Sequence, residues 1–215
     1  MDLADRPASF PNKISRILIL AIRDVLGANG SSAVLTTAKL RHYATTLPAA
    51  DFEPGLTFVE VGRLFEALEN IYGVQAGDRL AKQAGRESFR YWIEGFGGLV
   101  GFADVLLRFL PLSARARIGV EVVAEIFNRY TDQSVALGES RECYLFTLET
   151  CGFCAGRRAE IPACGYMHGT LDELLFWISR GRRFAIEETA CIALGDAACS
   201  FSIDKAPLGR VAAGR

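Results

Sequence analysis

The stretch EETACIALGDAACSF, residues 187–201, holds Cys191 and Cys199 at equal distances from Gly195 of a Gly-Asp turn, with acidic residues just upstream. Apolar and polar residues alternate on either side of that turn, which reads as a β-hairpin closing the chain. In a regular antiparallel register centred on Gly195 the two cysteines lie opposite one another, where cross-strand Cβ atoms are ~4.5 to 5.5 Å apart. That separation suits two ligands on one tetrahedral metal, since thiolate sulfurs lie about 2.3 Å from zinc, and it also suits a disulfide. Two small core residues would fit there as well. Glu188 lies three positions before Cys191, and in a straight strand an odd offset sends the two side chains to opposite faces. Both reach one metal only if the strand bulges between them.

All six cysteines, Cys143, Cys151, Cys154, Cys164, Cys191 and Cys199, fall in the C-terminal third of the 215 residues. The opening MDLADRPASFPNK is polar and acidic, unlike a secretory signal, so a cytoplasmic location is expected, and there clustered cysteines point to metal or redox chemistry. Cys164, in the loop before the next helix, is placed to join the hairpin cysteines as a ligand. Three thiolates and a carboxylate on a dication leave a formal charge of about -2, for which Arg157, Arg158, Arg182 and Arg183 are the expected counter-charges. Cys151 and Cys154 form a separate Cys-x-x-Cys, open to three readings: a redox dithiol, auxiliary metal ligation or a structural loop.

Ahead of the hairpin the chain reads as helical. Ile14, Ile17, Leu18, Ala21, Ile22 and Val25 recur at helical spacing over 12–26 and stop at Gly27, and a second helix is predicted over 36–45. Phe58, Val61, Leu64, Phe65, Leu68 and Ile71 form one stripe that ends at Gly73. Residues 75–93 carry Ala76, Gly77, Ala81, Ala84 and Gly85, a small-residue face that admits another backbone closely. After Pro111 a further helix turns Ile118, Val122, Ile126 and Phe127 inward. The segment SVALGESRECYLFTLETC, 134–151, alternates around Gly-Glu-Ser as another hairpin, and a helix follows over 170–180. The expected fold is α+β: N-terminal helices packed on an antiparallel sheet, one domain over 12–204 between flexible ends at 1–11 and 205–215.

A net charge of -1 without a long basic run gives no electrostatic footprint for nucleic acid. The apolar stretch 95–112 contains Asp104 and Arg108 and is short for a bilayer span of roughly 20 residues. It reads as a core helix or an interface-lying one, the latter bringing peripheral membrane contact, and with the small-residue faces it suggests a homodimer. Two histidines, His42 and His168, leave little material for a Ser-His-Asp site, and no Gly-x-Gly-x-x-Gly signals a nucleotide cofactor. Phe89, Tyr91, Trp92, Phe96 and Phe102 crowd one region, either as core or as the wall of an apolar pocket.

The closing RFAIEETACIALGDAACSFSI and the preceding CGYMHGTLDELLFW resemble the 4-vinyl reductase domain family in its acidic residue, cysteines, glycine and terminal aromatic. The resemblance is specific over about the last quarter of the chain. It implies a ligand-binding fold of the NO-signalling type, with a zinc held by Cys164, Glu188, Cys191 and Cys199 that pins the terminal hairpin. Four protein ligands leave no open position for substrate, so the zinc would be structural. The implied function is binding of a planar hydrophobic molecule, an aromatic hydrocarbon or a tetrapyrrole, against Trp92, Phe96, Phe102, Tyr144, Phe146 and Trp177. The alternative is an enzyme or accessory factor of bacteriochlorophyll synthesis acting on a vinyl-bearing tetrapyrrole; without a visible electron-donor site, a binding protein is favoured over a catalyst.

Overall fold

Helix α1 (Asn12–Thr37) buries Ile14, Ile17, Leu18, Ala21 and Ile22, the stripe that its spacing predicts. The computed structural model describes residues 6–107 and 109–209, with the side chains of 97–107 outside the description. Gly27 does break the regular helix, at φ +69°, a value glycine adopts without strain. The chain then re-enters helix and continues to Thr37, because Val34 and Leu35 gain burial on that second segment. The helix expected over 36–45 is therefore displaced; only a short 3-10 turn, Arg41–Ala44, follows, and it buries nothing. By length and hydropathy α1 is apolar enough to cross a membrane, but its apolar stripe is occupied by the core.

Strand β1 (Ser9–Pro11) pairs antiparallel with β2 (Pro54–Thr57). Ordered structure thus begins before residue 12. Thr57 then caps α2 (Phe58–Tyr72): its hydroxyl accepts from the Glu60 N–H at 3.2 Å while Glu60 Oε2 accepts from the Thr57 N–H at 2.8 Å. Phe58, Val61, Leu64, Phe65 and Leu68 are buried as expected, Ile71 emerges at the exposed end, and Gly73 stops the helix at φ +83°.

Helix α3 (Val74–Leu107) leaves helical geometry at Phe96, and α4 (Leu112–Tyr130) follows. The side chains of Phe102 and of most of the apolar stretch expected at a membrane or dimer interface lie outside the description. The small-residue face of α3 meets α5 (Gly165–Ile178). A Cβ on Gly85 would come within 2.0 Å of the Tyr166 carbonyl oxygen, and one on Gly169 within 1.9 Å of the Lys82 carbonyl oxygen. The two backbones touch, which fixes the position of α5 and of everything it carries.

Strands β3 (Ser134–Glu139), β4 (Cys143–Thr150), β5 (Phe184–Ala190) and β6 (Cys199–Pro207) form an antiparallel sheet in the order β3-β4-β6-β5. Alternation sends Tyr144, Phe146 and Leu148 of β4 and Cys199, Phe201 and Ile203 of β6 inward, and Phe146 opposes both Leu137 and Phe201. The β3–β4 turn falls later than the Gly-Glu-Ser position, because Ser140 Oγ accepts from the N–H groups of Glu142 and Cys143. β6 continues to Pro207, so regular structure also extends past residue 204.

Candidate metal centre and ligand cavity

Four chain segments converge on the buried cysteines. β4 ends at Thr150, and the loop beyond it folds back at once: Cys154 N–H donates to the Cys151 carbonyl at 3.3 Å, and Arg157 N–H to the Cys154 carbonyl at 3.1 Å. Gly152 is required there, since a Cβ would lie 2.6 Å from the Phe10 ring and 2.7 Å from Phe58. Cys164 is the N-cap residue of α5. On the closing hairpin the β5–β6 register shifts between Glu188 and Ala190. That irregularity is what the odd spacing of Glu188 and Cys191 demands, and it brings Glu188, Cys164, Cys191 and Cys199 together with all four donor atoms within 4.8 Å of one another. A short 3-10 turn, Ile192–Leu194, and Gly195 at φ +104° connect the strands, and Asp196 Oδ2 accepts from the Cys191 N–H at 2.8 Å.

Cys151, Cys154, Cys164 and Cys199 form a second set within the same limit, so six donors share one pocket of the core. Sulfur separations are 3.3 Å for Cys151 to Cys164, 3.0 Å for Cys154 to Cys164, 3.6 Å for Cys154 to Cys191 and 3.7 Å for Cys154 to Cys199. All six cysteines are free thiols, which disposes of the disulfide reading in this structure. Backbone donors aim at two of the sulfurs: Ala163 N–H at Cys191 Sγ, 3.4 Å, and Ile192 N–H at Cys199 Sγ, 3.2 Å. Thiol hydrogen bonds, from Cys151 first and then Cys164, pull Cys154 down to about 5, whereas burial pushes Cys151 and Cys164 up. Burial, then the charge of Cys191, raises the Glu188 carboxyl to about 9. A pocket this short of compensating charge holds few anions by itself, and a dication would reverse that order.

The arginines expected as counter-charges are committed elsewhere. Arg157 is buried and donates to the Phe153 and Ala163 carbonyls and to Glu69 Oε1 at 2.5 Å; Arg183 pairs with Asp172 and Glu173, and Arg158 and Arg182 are exposed. His168 stands apart from both donor sets, its Nε2 3.1 Å from the Ile186 carbonyl and its Nδ1 buried without a partner. Burial lowers its pKa.

A cavity of about 70 Å³ opens between α3, α4 and α5. Trp92, Phe96 and Trp177 line it, together with Ile93, Val123 and Leu174. Among its described walls the Thr170 hydroxyl proton is shared between the Gly85 and Tyr166 carbonyls at 3.3 and 3.0 Å, and the Trp92 indole N–H is buried without a partner. Val122, 37% exposed, and the half-buried Trp177 form its rim. Tyr144 and Phe146, expected among the walls, are elsewhere: Tyr144 donates to the Ser113 carbonyl at 2.9 Å, and Phe146 fills the core. The walls not anticipated come from α4. Ala116, Val120, Ala124 and Phe127 are enough to seat that helix on the core, so Ile118, Val122 and Ile126 make up a second apolar stripe facing the cavity.

No family model and no curated protein matches the chain. Solved structures do. An oxygen-binding H-NOX domain related to soluble guanylate cyclases, in its oxygen complex, is 12% identical, with 93% of this chain and 97% of that one aligned and a TM-score of 0.57. The H-NOX protein from S. oneidensis in the Fe(II)NO ligation state is also 12% identical, over 91% and 99%, TM-score 0.55. The Fe(II) unliganded H-NOX protein from K. algicida is 13% identical, over 94% and 98%, TM-score 0.56. An iron centre does not fit this cavity, whose described walls include no His, Cys, Met or Tyr; His42 is exposed on the 3-10 turn and His168 points at β5. The chain thus has the H-NOX fold, with its cluster of metal-type donors at the β5–β6 turn and the start of α5 instead of in the cavity.

Proposed function

We propose that the protein is a ligand-sensing domain for a small apolar molecule, held between α3, α4 and α5, with a structural zinc pinning the closing hairpin to the start of α5. The observation that carries this reading is the cavity itself, whose described walls are apolar apart from the Thr170 hydroxyl and the indole N–H groups of Trp92 and Trp177. Such a site selects by shape and apolarity. The likeness to H-NOX domains supports a sensing role, and the resemblance of the closing hairpin to the 4-vinyl reductase family supports an aromatic hydrocarbon as ligand. Size favours the hydrocarbon over a tetrapyrrole. An apolar cavity of about 150 Å³ takes up benzene, and the 70 Å³ seen here reaches that with a modest outward turn of the half-buried rim at Trp177. A four-ring macrocycle would have to part the helices. The protein binds its ligand and does not transform it.

The metal lies among Cys164, Cys191 and Cys199, with Glu188 as the fourth donor that the resemblance implies or Cys154 as the one the sulfur distances offer. Either shell is closed to substrate, in keeping with a structural role.

Titration with toluene, followed by tryptophan fluorescence and calorimetry, tests the cavity. A buried ring of ~150 Å² gains about 4 kcal/mol before the costs of association. Val123→Phe, which places a ring where the ligand would lie, is expected to weaken toluene binding at least tenfold while leaving the melting temperature within a few degrees. Equal affinity of the wild type and a folded Val123→Phe variant would place the ligand elsewhere.

A further inference from the structure

We propose that Cys154, and not Glu188, completes the metal shell, so that the centre is a four-thiolate site built from Cys154, Cys164, Cys191 and Cys199. This rests on the metal reading above and decides which residues hold the ion. A tetrahedral ion with sulfurs at about 2.3 Å has ligand–ligand edges of about 3.8 Å. Cys154 Sγ is 3.0, 3.6 and 3.7 Å from the sulfurs of Cys164, Cys191 and Cys199, and those three sulfurs are themselves within 4.8 Å of one another. It closes a tetrahedron over the other three. On binding, the shortest edge, Cys154 to Cys164, would open by about 0.8 Å to reach that value.

Glu188 is held through one oxygen only, its Oε1 being buried without a hydrogen-bond partner among the described residues. Its Oε2 accepts the backbone N–H of Cys164 at 3.1 Å, which anchors the N-cap residue of α5 to β5. A carboxylate is also the harder donor, and a soft thiolate set competes well for a zinc-type ion. Cys151, the remaining buried thiol, approaches Cys164 at 3.3 Å, but the set of mutually close donors that holds it does not include Cys191, whereas Cys154 Sγ is 3.6 Å from Cys191 Sγ. Cys151 is a neighbour of the shell and not part of it.

The assignment gives the Cys-x-x-Cys of the β4–α5 loop a role that its spacing alone leaves open. With Cys154 as ligand the ion joins three segments: that loop, the start of α5 and the β5–β6 turn. The loop is in turn tied to α2, because Arg157 holds Glu69 and the Ala155 carbonyl lies over Gly62, where a Cβ would come within 2.1 Å. The centre therefore clamps the sheet to the helices as well as pinning one hairpin.

X-ray absorption at the zinc edge, on the full chain loaded with one equivalent of zinc and washed free of excess, reads the shell without any mutation. Four sulfurs at about 2.3 Å are expected; three sulfurs and one oxygen at ~2.0 to 2.2 Å would overturn the assignment while leaving the metal reading intact. A protein that retains no zinc would overturn both. In parallel, cobalt(II) titrations should show Cys154→Ser losing more than about 1,000-fold in affinity, whereas Cys151→Ser and Glu188→Gln lose no more than about 10- to 100-fold, the range of changes just outside a metal shell. The opposite order, with Glu188→Gln the most damaging, would return the fourth position to the carboxylate.

Discussion

Gly85→Ala is expected to destabilise the protein by more than about 3 kcal/mol, lowering the melting temperature by roughly 10 °C for a domain of this length. Most glycine to alanine changes inside a helix are favourable, by up to about 1 kcal/mol, because glycine has more backbone freedom to lose. Here the added methyl would lie 2.0 Å from the Tyr166 carbonyl oxygen and 2.9 Å from the Thr170 amide nitrogen, so the strain falls on backbone that cannot rotate away. The helices must part. Gly95→Ala on the same helix is the control: its methyl would meet the flexible Lys13 side chain at 3.3 Å and the Ile17 side chain at an ordinary 3.8 Å, and it should be neutral or mildly stabilising. Thermal unfolding of the two variants separates them, and equal behaviour would mean that α3 and α5 are not in backbone contact. Because Tyr166, Thr170 and Cys164 all belong to α5 or its cap, Gly85→Ala should also loosen the metal centre and the cavity together.

Removal of the metal is the second large effect. Structural zinc contributes an apparent ~10 to 16 kcal/mol in small peptide sites, and a larger core will retain part of the fold without it. A chelator, or Cys191→Ser, should lower the melting temperature by roughly 10 °C or more and release close to one ion per chain. Cys191 is buried and is central to the β5–β6 turn, where its N–H is held by Asp196 and its sulfur by the Ala163 N–H. Without a cation, the thiols and the raised Glu188 carboxyl must stay largely protonated or repel one another. A protein that contains no metal as purified and melts unchanged in chelator would contradict the metal reading, and a response to reductant alone would favour disulfide chemistry instead.

How far the sequence reveals this structure depends on whether a feature is local. The stripe of α2, its Gly73 stop, the two hairpins and the small-residue face of α3 are all written in short-range periodicity, and each appears. The bulge between Glu188 and Ala190 could be inferred too, since a three-residue offset cannot otherwise bring Glu188 to the cysteines. Gly27 misled for a physical reason: a positive φ breaks a helix without obliging the chain to leave the helical path, and the buried Val34 and Leu35 decide that it continues. Trp92 and Phe96 are visible as candidate walls because large aromatics gather there, and Trp177 through the family resemblance, but the second stripe of α4 becomes a wall only through the placement of α5, which no local pattern gives. Tyr144 and Phe146 alternate as any inward strand residues do, and only the sheet's packing against α4 shows that they are spent on the core. The joining of Cys151 and Cys154 to the hairpin likewise depends on how the twelve residues between Cys151 and Cys164 fold back, which spacing cannot convey.

The proposed ligand, an apolar molecule the size of one aromatic ring, would be held between α3, α4 and α5. Nuclear Overhauser effects between toluene protons and the methyl groups of the zinc-loaded protein measure that contact directly. Cross-peaks from toluene to Val123, Leu174 and Ile178, the methyl-bearing walls on α4 and α5, are predicted, and they should vanish in Val123→Phe. Cross-peaks confined to surface methyls such as those of Leu137 and Leu145, or none at saturating toluene, would contradict it.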